Sequence, residues 1–391
     1  MGRVPCRGQQ RLAQAVAARY RTAPFSSASS AGWPFDLSAE ERSVNRSSPD
    51  KHSRGRDAFQ AAGSSPTVHL LGAGKVGQCF LDLCAAHGLR LVSVTDSSGT
   101  LYSKAGLDAA PLAALKRAGG SFAEGAKAEP LPLETALRVV DADVVVDCLP
   151  TDLDELELAA ARVRQLLDNG QAVILASKSA LLGDTETLLE NPRRSRLGIC
   201  ALLGGTGQAL MNELEELRVR TQRILCVPNA TTSLLVGEIE AGASWEQAID
   251  RARVEGLFES DPQQDLSGRD AALKLCILSR AVLQRRCELG EVLLPDAGID
   301  VELLRERALR GRTTRLLGSA SRELGPELRY EELPRASRLT VPWRRVAYGY
   351  ELDDGSLRLH LGDGVGPRAT AEAVLRDYLA LCPAPSEMKV Q

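Results

Sequence analysis

The chain holds no C-x-x-C pair, no long apolar run and few aromatic residues, which make up 4% of its 391 positions. Each absence excludes something. Its nine cysteines are odd in number, and several sit inside apolar segments such as VVVDCLP and KLCIL. A disulfide framework and a structural zinc are therefore not expected, and reduced, mostly buried thiols are. The histidines at 52, 69, 87 and 360 are scattered without ligand spacing, so no metal site built on Cys and His is expected. No run approaches the roughly eighteen apolar residues that a spanning helix needs. A net charge of −3 leaves no basic excess to bind nucleic acid or an anionic membrane surface. With aromatics scarce, the core must be built from Leu, Val, Ile and Ala.

Acidic residues are missing from Met1 to Phe35, where Arg3, Arg7, Arg11, Arg19 and Arg21 all occur. QRLAQAVAARYR can form a short basic amphipathic helix, and a Ser-rich stretch follows it. That is the composition of an organellar transit peptide, mitochondrial ahead of plastid, with a cytoplasmic location if the segment is only a leader. Residues 36–66 read as a linker.

Order begins at Thr67. TVHLL is a short apolar run, QCFLDLCAAHG a helix ending on glycine, and LRLVSVTD a second strand. AAPLAALKRAG is helical, and a small loop leads to DADVVVDCLP, a continuous apolar run of the kind found in buried parallel strands. DELELAAARVRQLLDNG and QAVILASK repeat the helix–strand alternation. This pattern predicts an α/β fold, a doubly wound parallel sheet with right-handed crossovers. After Ser195 the rhythm changes. SRLGIC ends the sheet, SWEQAIDRARVEG and RDAALKLCILSRAVLQRR are helices, and RVAYGYELDDGSLRLHLGD is a hairpin turning at Asp354-Gly355. An amphipathic helix closes the chain.

Gly72-Ala73-Gly74-Lys75-Val76-Gly77 matches G-x-G-x-x-G between a predicted strand and a predicted helix. Such glycines let the backbone approach a pyrophosphate resting on the helix N-terminus, as in Rossmann-type sheets. Asp96 ends the second strand, where a carboxylate can grip ribose hydroxyls and repel a 2′-phosphate. Ser97, Ser98 and Lys104 can offset that repulsion, so NAD and NADP both stay open. Lys178 follows VILAS at the carboxyl end of its strand.

FESDPQQDLSGRDAALK, from Phe258 to Lys274, crowds carboxylates around a lysine. One reading is purely local: Ser267 caps a helix with Asp270 three residues on, and Asp270 pairs with Lys274 at i, i+4. The other is a site. Two lysines with Glu259, Asp261, Asp265 and Asp270 suit a zwitterionic amino acid, the carboxylates holding its ammonium and a lysine handling an alcohol proton during hydride transfer.

GAGKVG, TDSSGTLYSKAGLD, VVVDC, ILASKSALL, NATTSLL and EGLFESDPQQDLSGRDAALKL, with GVGPRATAEAVLRDYLAL at the end, follow one another as in homoserine dehydrogenases. The chain resembles that family from about 68 to 382. The resemblance implies reversible reduction of L-aspartate 4-semialdehyde to L-homoserine with NAD or NADP, in threonine and methionine biosynthesis, by a homodimer. It implies Lys274 and Lys178 at the reacting oxygen, Glu259 and Asp270 on the substrate, and Asp261 and Asp265 in support. Cofactor contacts are implied at Gly72, Gly74, Lys75, Val76, Gly77, Asp96, Ser97, Lys178 and Gly366. It further implies an NAD(P)-binding domain over 67–200 completed by 362–385, and an α+β substrate and dimerisation domain over 201–345. Residues 346–391 supply the hairpin and the closing helix. Neither a fused aspartate kinase nor an appended regulatory domain is expected.

Some positions depart from the pattern. Where the family carries a glutamate tied to a monovalent cation, this chain has Cys200, which removes a hard oxygen ligand, so no cation is expected. The usual N-G-T-x-N reads Asn229-Ala230-Thr231-Thr232-Ser233. Two alternatives follow: a dehydrogenase of another small amino acid or semialdehyde, and a catalytically silent NAD(P)-binding regulator.

Overall fold

The computed structural model describes residues 65–122, 131–257, 267–295, 299–363 and 366–382, all within one compact unit. Elements are numbered here in chain order. β1 (Thr67–Leu71), β2 (Arg90–Asp96), β3 (Gly99–Tyr102), β4 (Val144–Asp147), β5 (Ala172–Leu175) and β6 (Leu197–Gly198) form one sheet in the order β3-β2-β1-β4-β5-β6. All neighbours are parallel except β3, which pairs antiparallel with β2 from Ser93↔Tyr102 to Asp96↔Gly99. β4 and β5 are buried at every residue, as their unbroken apolar runs require when helices cover both faces.

The crossovers carry α1 (Lys75–His87), α2 (Ala109–Arg117), α3 (Leu133–Val139), α4 (Leu156–Asp168) and α5 (Ser179–Glu190). α1 stops because Gly88 takes a left-handed conformation, φ 63°, and its N–H donates to the Cys84 carbonyl. α2 starts where Asp108 accepts the Ala110 N–H. The strand order reverses between β1 and β4, which makes their carboxyl ends the switch point where such sheets take ligands. α3 lies in the stretch read from sequence as a loop, and β3 in one given no element, because neither is long enough to show a periodicity.

The second sheet is antiparallel throughout, in the order β11-β10-β7-β8-β9. Its strands are β7 (Thr221–Val227), β8 (Arg312–Ser321), β9 (Glu327–Pro334), β10 (Val346–Leu352) and β11 (Leu357–Gly362). α6 (Gly207–Arg220) enters it, and α7 (Ala230–Glu240), α8 (Trp245–Val254), α9 (Arg269–Leu283) and α10 (Val301–Leu309) stand between β7 and β8. The predicted hairpin is β10–β11, paired from Val346↔Gly362 to Glu351↔Leu357, with Gly355 at φ 79° in its turn.

α9 joins the two sheets. Eleven of its fifteen residues are buried, and ten of them pack into one core with β5 and α5 on one side and with Ile224, Tyr348 and Tyr350 of the second sheet on the other. The opposite face of the first sheet is covered by α1, α2 and the last helix, α11 (Gly366–Leu381), whose Val374 and Tyr378 pack with Val68, Leu70 and Phe80. The last described helix therefore packs against the first described strand.

Candidate active site

The glycine turn is built by close contacts. Gly72 has φ 88° and donates its N–H to the Thr95 carbonyl at 2.9 Å. A Cβ there would stand 2.4 Å from the Cys148 carbonyl oxygen, and one at Gly77 would stand 2.1 Å from the Gly72 carbonyl oxygen. Backbone packing alone therefore demands both glycines. Gly74 differs. A Cβ on it would meet no atom within 4 Å, yet it occupies the N-cap of α1, where no side chain caps the helix. Lys75, Val76 and Gly77 form the first turn beyond it. The uncapped helix start and the open space over Gly74 fit a pyrophosphate, held by backbone N–H groups and the positive end of the helix.

Asp96 ends β2 beside this turn. Its Oδ1 accepts from the Ser98 N–H and hydroxyl, and its Oδ2 accepts from Lys116 Nζ at 2.7 Å. Burial acts to raise its pKa, but the Lys116 and Ser98 hydrogen bonds prevail and hold it below the ordinary aspartate value. Ser97 is exposed at the strand's tip. Lys104, considered from sequence as the balancing cation, is exposed, while Lys116 makes the contact. No spacing rule announced Lys116, since it reaches Asp96 from α2 across 20 residues.

Lys178 follows β5 and stands at the N-cap of α5, its N–H donating to the Thr151 hydroxyl at 3.2 Å. Its Nζ lies 3.0 Å from Asp270 Oδ1, and Lys274 Nζ lies 2.7 Å from Asp270 Oδ2. Lys274 also donates to the Pro228 carbonyl at 2.9 Å, at the end of β7. Two ammonium groups, 15% and 14% exposed, thus share one carboxylate that is 46% exposed. Burial of Asp270 acts to raise its pKa, yet the charges and hydrogen bonds of Lys178 and Lys274 outweigh that and hold it far below the usual carboxylate range.

The loop after β4 connects the two halves. Cys148 abuts Gly72 and the Thr151 hydroxyl accepts the backbone N–H of Lys178, so the glycine turn and the start of α5 are joined through three residues of chain. Such a stretch spans at most about 10 Å. A cavity of about 220 Å³ opens beneath this loop, lined by Asp147, Arg162, Ser177 and Ser179. None of Lys178, Asp270 and Lys274 lines it, so it is not where those groups act.

Glu259, Asp261 and Asp265 lie outside the described residues. Gly366 opens α11 at φ 81°, with no atom within 4 Å of a Cβ placed on it. Asn229 caps α7, its Oδ1 accepting the Thr232 N–H at 2.9 Å while the Ser233 hydroxyl donates to its carbonyl. Cys200 is buried, its Sγ accepting the Gln208 N–H and its own N–H donating to Asp377 Oδ2 at 2.8 Å. Among the described residues no group of three or more His, Cys, Asp or Glu side chains is placed to hold a metal ion. One local reading is corrected. The N-cap of α9 is Gly268 at φ 73°, not Ser267, whose hydroxyl accepts the Arg269 N–H at 3.3 Å. The capping box does not form because the chain enters the helix through a left-handed glycine.

Comparison with known proteins adds the following. A model of the family described as homoserine dehydrogenase matches residues 209–379. A model described as glutamate/leucine/phenylalanine/valine dehydrogenase matches residues 57–175. The homoserine dehydrogenase of Methanocaldococcus jannaschii is 27% identical over 302 residues, 74% of this chain and 88% of that protein. The NAD(+)-dependent homoserine dehydrogenase of Pseudomonas canavaninivorans is 26% identical over 341 residues, covering 79% and 94%. A putative homoserine dehydrogenase from Archaeoglobus fulgidus shares the fold with a TM-score of 0.67 at 22% identity, over 82% of this chain and all of that one. A hyperthermophilic archaeal homoserine dehydrogenase in complex with NADPH gives 0.64 at 21% identity, over 82% and 99%.

Proposed function

This chain belongs to the homoserine dehydrogenase family, and we propose from that premise that it interconverts L-homoserine and L-aspartate 4-semialdehyde with NAD(P), in amino-acid biosynthesis. The observation that carries the reading is the pair of lysine ammonium groups meeting on Asp270. The backbone of Lys178 is one short loop from the glycine turn.

A nicotinamide dinucleotide held at the glycine turn would supply the hydride acceptor for the alcohol and the hydride donor for the aldehyde. The residues of this chain do the rest. Lys274 spends two of its three donors on Asp270 and Pro228, which fixes its Nζ and leaves one N–H to aim. Lys178 holds Asp270 with one donor and has two more to offer. Together they can cradle one substrate oxygen and stabilise the charge that develops there; in aldehyde reduction one ammonium gives its proton to that oxygen, and in alcohol oxidation the same lysine, as the neutral amine, takes it back. Asp270 orients both lysines and keeps its outer lone pairs for the substrate ammonium. Glu259 would join it there, supported by Asp261 and Asp265. Gly72, Gly74, Lys75, Val76, Gly77, Asp96, Ser97 and Gly366 would serve the dinucleotide.

Residues 67–200 with 362–385 make up the cofactor part in this reading, and 201–345 the substrate part. Two copies would pair through the outer face of the second sheet, where Leu317, Leu333 and Leu359 are incompletely covered. The acid-free, arginine-bearing stretch from Met1 to Phe35 supports import into an organelle, mitochondrion ahead of plastid. No described helix is long and apolar enough to cross a membrane.

The test is direct. The purified chain is supplied with L-homoserine and NAD or NADP in turn, and formation of the reduced nicotinamide is followed by absorbance. Turnover is expected. Silence from protein that binds cofactor would refute the assignment and favour the silent regulator, whereas turnover of another small amino alcohol alone would favour the altered Asn229–Ser233 segment as a specificity change.

A further inference from the structure

We propose that the cavity beneath the loop between β4 and α4 is a binding site for a small aliphatic ammonium compound, with Asp147 as its anchor. The cavity is separate from the site described above, since neither the glycine turn nor Lys178, Asp270 or Lys274 lines it. It lies on the face of the first sheet that α4 covers, whereas the glycine turn opens α1 on the other face. About 220 Å³ is open there, roughly the share of seven water molecules in the liquid. Leu71, Val145, Val163, Leu166 and Val173 give it an apolar wall.

Asp147 ends β4 and lines the cavity at 8% exposure. Its Oδ1 accepts the Leu149 N–H at 3.0 Å, and its Oδ2 has no hydrogen-bond partner among the described residues. A carboxylate left in that state beside an apolar wall is costly unless a cation meets it. Burial accordingly pushes its pKa up to about 6, against the pull of the Leu149 N–H and the Arg162 charge. The charge of the wall selects the occupant. Asp147, Asp152 and Glu155 line the cavity with Arg162, and that guanidinium is already held by Glu134 at 2.9 Å and Glu155 at 3.4 Å. The wall is therefore acidic on balance. A free amino acid would bring a carboxylate against it, whereas an aliphatic amine brings three ammonium donors and an apolar body. The Ser177 hydroxyl, which donates to the Pro150 carbonyl at 3.3 Å, can accept one of those donors beside Asp147.

The test is a ligand-observed NMR titration of the full chain with n-butylammonium chloride at constant ionic strength, with sodium butyrate as the anionic counterpart. Saturable binding of butylammonium is expected at about 1 mM or tighter, within what so small a ligand can supply, and no binding of butyrate. Asp147→Asn keeps an acceptor for the Leu149 N–H and loses the charge, so affinity should fall about tenfold or more. Should Asp147→Asn not fold, Ala159→Leu, which fills the cavity from α4, carries the test and should abolish binding. No saturable binding of butylammonium by wild type overturns the proposal, and so does an affinity within about twofold of wild type in either variant. Equal binding of butyrate would make Arg162 the anchor and overturn it as well. None of these outcomes bears on turnover of homoserine, so this inference and the proposed function stand or fall separately.

Discussion

At the scale of single residues, the glycine turn separates what folding needs from what a ligand needs. Gly77→Ala drives a Cβ into the Gly72 carbonyl, so it should lower thermal stability and cofactor affinity together. Gly74→Ala meets no protein atom and should melt close to wild type, yet its methyl would occupy the space over the helix start. Its cofactor affinity is expected to fall about tenfold or more by titration. Equal affinities in Gly74→Ala and wild type would remove the pyrophosphate from that spot. For Lys274→Ala the expectation is a loss of about a hundredfold or more in kcat, with cofactor affinity within about twofold of wild type. Loss of cofactor binding as well would mean that the fold, not proton transfer, had been damaged. Half of this cluster was legible in the sequence. Asp270 and Lys274 are four apart on one helix, and helical geometry alone brings them together. Lys178 arrives from another strand 92 residues earlier, and Lys116 reaches Asp96 from a crossover helix. Those contacts belong to the tertiary fold, and no local spacing encodes them.

At the scale of elements, legibility follows length and periodicity. The apolar runs behind β1, β2, β4 and β5 and the glycine-ended helices α1 and α4 stand out because burial on both faces, or on one helical stripe, forces a pattern. β9 alternates too weakly to show: it is an edge strand, and most of its residues are partly or fully exposed. α9 is the element on which most depends, because it carries Asp270 and Lys274 and wedges between both sheets. Ile277 is wholly buried on it. Ile277→Ala should cost about 2–5 kcal/mol in urea unfolding through the cavity it leaves. At temperatures where the variant stays folded, its cofactor affinity should match wild type, since the glycine turn does not touch α9. A matching loss of cofactor affinity would show that the two halves of the site are coupled through this helix.

At the scale of the whole molecule, a buried acid on the last helix and a buried base on the first strand lie on opposite slopes of the stability curve. Asp377 of α11, buried and accepting the Cys200 N–H, has its pKa pushed up to about 6 by burial. The folded protein therefore keeps a proton that the unfolded chain releases near pH 4, and stability from this group falls as pH rises from about 4 to 6. His69 on β1, bonded to the Thr95 hydroxyl at 3.0 Å, is lowered by burial to about 4. The unfolded chain binds its proton below about 6.5 while the folded protein refuses it, so stability from this group rises with pH over nearly the same window. Each shift corresponds to about 3 kcal/mol across its full span. The two largely oppose each other, and single substitutions should expose them with opposite signs. Asp377→Asn keeps an acceptor for Cys200 and removes the ionisation, so it should gain on wild type as pH rises from 4 to 6. His69→Gln should lose ground over the same range, because wild type alone collects the histidine's contribution there. Urea midpoints measured across that range decide the matter. Parallel curves for wild type and both variants would mean that neither group is kept from charging by the fold.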